Sequence, residues 1–62
     1  MLLIKLSSGE YINVGHILSI TRHPDHAHQT VILLADGSKR IINKTQGELF
    51  DLLPPTIQVL EL

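Results

Sequence analysis

The stretch TVILLADGSKRII, residues 30–42, sets the problem this chain has to solve. Successive strand residues point to opposite faces, so Val31, Ile32, Leu33 and Leu34 leave neither side of a Thr30–Ala35 strand polar. Asp36-Gly37 predicts a hairpin turn with both central positions at positive φ, and Lys39–Asn43 returns beside the first strand. A strand that is apolar on both faces needs cover on both. The whole chain has 62 residues and no cysteine, and its pattern leaves room for one short helix. That helix can cover only one face.

The other segments are short and mostly alternating. Leu2, Ile4 and Leu6 share a face in residues 2–6, and Ser7-Ser8-Gly9-Glu10 is a turn signal. Tyr11–Val14 reads as a second strand, broken by Gly15, and Ile17–Arg22 as a third, with Leu18 and Ile20 opposed to Ser19 and Thr21. Pro24 ends that strand, since proline donates nothing to a ladder. Thr45-Gln46-Gly47-Glu48 has the spacing of a capping box, which predicts a helix from there to about Leu53, stopped by Pro54-Pro55. Thr56–Leu62, TIQVLEL, reads as a last strand. The expected fold is α+β and mostly β. It is a small antiparallel sheet of five to six short strands with one short helix packed on it, forming a single domain over residues 1–62. Its expected core is Ile4, Leu6, Ile12, Leu18, Ile20, Ile32, Leu34, Leu49 and Leu53, with Phe50 beside them.

A domain of this size buries only about 60% of the surface its unfolded chain exposes. Small scaffolds therefore need a disulfide, a metal, a ligand or a second copy, and the first is ruled out by composition. A net charge of −1 gives no excess of positive charge for a phosphate backbone, so nucleic acid is disfavoured as a partner. No apolar run approaches a membrane span. MLLIKL lacks the basic region of a signal peptide and reads as a strand, and a cysteine-free chain fits the cytoplasm.

The densest chemistry lies in HPDHAH, where His23, Asp25, His26 and His28 fall within six positions. Imidazole and carboxylate suit zinc, nickel or copper. Recognised zinc motifs, however, draw ligand pairs from separate elements, and one loop would bear the whole ordering entropy. A solvated loop is the favoured reading, with no metal and no cofactor. Arg22, Lys39, Arg40 and Lys44 form a modest basic set around the hairpin, candidates for contact with an anion, a nucleic acid or a small ligand. Such side chains also guard strands against edge-to-edge pairing. Without cysteine, a nucleophile motif or a glycine-rich phosphate cradle, no catalytic residues are assigned and enzyme activity is not expected.

IKLSSGEYINVGHILSI, RHPD and TVILLADGSK together resemble the small flagellar FlbD-type proteins, called SwrD in bacilli, over residues 3–50. The shared features are the turn Gly9, Asn13 after a short strand, Ile17 and Ile20 leading to Pro24-Asp25, the Thr30–Leu34 strand, and Gly37 with Lys39. His26–Gln29 departs from that pattern as an insertion, and Pro54–Leu62 stands where a longer amphipathic helix is expected. The resemblance implies an accessory role in motility with no catalytic residues. LADGSKRIINKTQGELFDLLPP also resembles, locally, the strand–DG–strand–helix segment of LytTR-type domains. Taken together, the chain is expected to be a homo-oligomeric interaction or adaptor protein. Ile57, Val59, Leu60 and Leu62 of its C-terminal strand (residues 56–62) are the expected interface. The alternatives are a small-ligand or ion binder with a site between subunits, or a weak nucleic-acid-binding regulator.

Overall fold

A computed structural model describes all 62 residues. Five antiparallel strands form two sheets, with one helix. Strand β1 (Leu3–Lys5) pairs with β2 (Tyr11–Asn13), placing Ile4 opposite Ile12. A 3₁₀ turn, Val14–His16, leads into β3 (Ile17–Arg22). Strands β3, β4 (Thr30–Leu34) and β5 (Lys39–Ile42) lie in that order, with β4 central. Helix α1 (Gln46–Leu52) follows. The expected fold class holds, with the strands divided between two sheets rather than joined in one.

Gly9 and Gly37 make the same turn twice. Leu6 N–H donates to Glu10 O and Gly9 N–H to Leu6 O, while Leu34 N–H donates to Ser38 O and Gly37 N–H to Leu34 O. Each loop therefore has three residues and ends on a glycine, at φ 93° for Gly9 and 88° for Gly37, where a side chain would be strained. The two-residue turn expected at Asp36-Gly37 is not formed, because Asp36 keeps a negative φ. Its Oδ1 instead accepts from the Ser38 N–H at 2.8 Å, and the Ser38 hydroxyl donates to the same oxygen. Asn13 works in a similar way at the 3₁₀ turn, where its Oδ1 accepts from the Gly15 N–H at 2.9 Å.

The core is small. Ile12, Ile32, Leu34 and Leu49 form its buried cluster, with Ile4, Leu6, Ile17, Ile20 and Ile42 packed against it and Leu53 buried on the helix side. The β1–β2 hairpin and α1 thus cover the inner face of β4, where Thr30, Ile32 and Leu34 are buried while Val31 and Leu33 stay half-exposed. Thr30 is fully enclosed and its hydroxyl donates to Lys44 O at 2.7 Å. Glu10 and Arg40 tie the two sheets by a two-pronged pair, Nε to Oε1 at 2.6 Å and Nη2 to Oε2 at 3.0 Å.

Two expected core residues lie outside. Leu18 is 65% exposed, because the register shifts between Ile17 and Ser19 and makes Leu18 the extra residue of a bulge. Ile17 and Ile20 then face the core in place of Leu18. Phe50 is exposed on the helix, which buries Leu49 and Leu53 instead. Helix α1 begins with the expected capping box: Glu48 N–H donates to Thr45 Oγ1, and Thr45 N–H to the Glu48 carboxylate. It ends at Leu53, whose ψ of 155° is the extended backbone that a following proline imposes. Thr56–Leu62, expected as a last strand, forms none within the single chain.

Candidate interaction surface

The bulge at Leu18 and the outward Phe50 are two sides of one feature. A groove of about 290 Å³ runs between β3 and α1. Val14, Ile17, Leu18 and Ile20 line one wall; Phe50, Leu53 and Ile57 line the other, with Ser19 the single polar member. No charged side chain enters the lining. Chain order explains the shape. Pro54-Pro55 turns the backbone, and Ile57 N–H donates to Pro54 O at 3.1 Å, which brings Ile57 back to the end of the groove. Beyond it Val59, Leu60 and Leu62 are exposed, Leu60 by 84%.

The exposed surface is large for the mass. The accessible area is 4845 Å² for 6.9 kDa, where a compact monomer of that mass shows about 4,000 Å². The radius of gyration is 11.4 Å, against about 10.6 Å expected for a chain of this length. The molecule is a slab of 32 × 31 × 20 Å with little interior. Only Ile12, Ile32, Leu34, Leu49, Leu53 and Thr30 are buried.

The polar candidates are dispersed by comparison. His23 Nδ1 accepts from the Asp25 N–H at 3.0 Å, which occupies that nitrogen's lone pair. The His23 and His26 rings lie 4.9 Å apart and tilted at 47°. No group of three or more histidine, aspartate or glutamate side chains is placed to hold a metal ion. His26 and His28 are exposed, whereas His23, expected to be equally exposed, is half-buried. Its N–H donates to Gln29 O, which extends the β3–β4 pairing one residue into the loop.

The four basic candidates do not make one patch. Lys39 and Arg40 start β5, on opposite faces, and Arg40 is held by Glu10. Arg22 and Lys44 flank Thr30 at the other end of the sheet. The Arg40 hydrogen bond lowers the Glu10 pKa below the usual carboxylate range, and the pair raises that of Arg40. The Ser38 hydroxyl and N–H lower Asp36, and the Thr45 N–H and hydroxyl lower Glu48. Each of these groups is engaged in structure. A cavity of about 330 Å³ between β1, the end of β5 and α1 is lined by Lys5 and Lys44 along with Ile4, Leu6 and Leu49, but the Lys5 ammonium sits 5.6 Å from the Tyr11 ring centroid. Tyr11 itself is exposed.

Sequence reading placed Leu18 and Phe50 in the core, so it missed both as surface residues. A bulge leaves no mark in an alternating pattern, although two adjacent apolar residues at Ile17-Leu18 were the available signal. No family model matches the chain, and no curated protein or solved structure matches it significantly. No helix is long and apolar enough to cross a membrane.

Proposed function

We propose that this chain is a small interaction protein that works by docking through its apolar surface, performs no catalysis and takes itself as its first partner. The observation that carries the reading is the surplus of exposed area. It amounts to roughly 850 Å² over a compact monomer, close to the roughly 800 Å² per partner of a standard interface. Exposed apolar side chains gathered along one groove and one tail mark an interaction site. The resemblance to FlbD-type proteins points the same way, since the role it implies is accessory and non-catalytic. A cytoplasmic setting is consistent with the cysteine-free composition.

Sedimentation velocity over a micromolar concentration series tests the proposal. The expected result is a mass of two or more chains, with a melting temperature that rises with protein concentration. A single species of 6.9 kDa at every concentration would end it.

A further inference from the structure

We infer that Gln58–Leu62 of one chain seats in the groove between β3 and α1 of a second copy, and that the exchange is reciprocal about a twofold axis. The inference rests on the self-association proposed above and names its contact. Groove and tail are both apolar, and both belong to every chain. The tail starts where the groove ends, at Ile57. In the single chain, however, Val59, Leu60 and Leu62 contribute nothing to the groove's lining and remain exposed. The plug and the socket exist side by side without engaging.

The second copy suits this site on three grounds. Five extended residues reach about 17 Å, half of the molecule's 32 Å length, so the tail can cross to a partner placed against the same face. A surface that presents one groove and one matching tail is self-complementary, which a closed twofold pair satisfies without leaving a free end. Charge agrees as well. The groove lining is uncharged and Glu61 is the tail's only charged side chain. In an extended tail Leu60 and Leu62 share a face and Glu61 points the other way, into water. Leu60 and Leu62 are therefore the anchors. They enter by side-chain packing rather than as a full added strand, because the Gln46 side-chain amide already donates to Ile20 O on β3 at 3.0 Å.

The chain's lack of cysteine makes the test clean. One preparation carries Leu18→Cys, a second carries Leu60→Cys, and the two are mixed and oxidised. The expected product is a disulfide-linked pair of one chain of each kind. In parallel, the double substitution Leu60→Asp with Leu62→Asp should raise the self-dissociation constant at least about 100-fold, while circular dichroism shows the same secondary structure. Assembly with an unchanged constant and no mixed disulfide would overturn the tail-in-groove contact, yet leave self-association standing through another surface. A chain bearing both cysteines that closes on itself as a monomer would place the tail in its own groove and also overturn the exchange. A wild-type chain that stays monomeric removes both the contact and the self-association on which it rests.

Discussion

Strand β4 and the tail Thr56–Leu62 are both rich in aliphatic side chains, and they meet opposite fates. In β4, Ile32 is fully buried between two neighbouring strands, with Ile12 and Leu49 laid over it. In the tail, Val59, Leu60 and Leu62 stand in solvent. Each carries four aliphatic side chains. The difference lies in what precedes each: a loop that folds β4 back along β3, and a Pro54-Pro55 turn after which the tail joins no strand ladder. An apolar alternation thus states that a segment requires a partner, while the turn before it decides whether that partner lies in the same chain.

The comparison breaks first at its buried end. Ile32→Ala should cost about 2–5 kcal/mol, most of the roughly 3–9 kcal/mol available to a chain of this size. Val59→Ala should leave the stability of the single chain within about 0.5 kcal/mol. Chemical denaturation at low protein concentration checks both, and equal losses at the two positions would erase the distinction. Next in size is the start of α1, which holds one wall of the groove. Thr45→Ala removes half of the capping box and should cost about 1 kcal/mol, read as a lower midpoint with an unchanged denaturant slope.

Acid provides a graded version of the same contrast. Hydrogen bonds made only in the folded chain hold Glu10, Asp36 and Glu48 below their usual pKa range. The unfolded chain therefore takes up protons first as pH falls. The stability these groups add is complete above the ordinary carboxylate range near about pH 4 and drains away as pH drops through the lowered folded values. Glu10→Gln should flatten part of that acid limb in a melting series from pH 7 to pH 2. The smallest effect is expected at the loop between β3 and β4. Replacing His26 and His28 with serine should move stability by no more than about 0.5 kcal/mol each, because both side chains are exposed. A tight, stoichiometric zinc isotherm abolished by His26→Ser would instead reinstate that loop as the functional site.

Much of the architecture was readable from residues whose physics is local. The Thr45–Glu48 capping box, the proline stop after Leu53 and the two glycine turns all act within four or five positions. Alternation located β1, β2 and β3, and the apolar run with its Asp36-Gly37 turn located β4 and β5. What it could not register was Leu18, where one extra residue against β4 sends a leucine outward and moves Ile17 inward. Bulges are settled by the register of the partner strand, which a single strand's pattern does not contain. Phe50 followed the same logic: the helix arc admits either Leu49 and Leu53 or Phe50 toward the sheet, and the sheet chose the former. The groove arises from these two departures together, so the candidate surface was less legible than the fold that carries it. The split into two sheets was equally hidden, since it rests on the Val14–His16 turn that redirects the chain between β2 and β3.

That split gives the molecule an uneven mechanical character. Strands β1 and β2 share their ladder only with each other, and the hairpin is held to the three-stranded sheet by packing of Ile4, Leu6 and Ile12 and by the Glu10–Arg40 pair. The hairpin is therefore a detachable unit that can swing off as one piece while β3, β4 and β5 keep their hydrogen bonds. In amide exchange the β1–β2 ladder should be the first tier to open and β4 the last. Each opening uncovers Ile32 and Leu34 from one side only, which makes the hairpin a cover whose loosening sets the rate at which the core meets water.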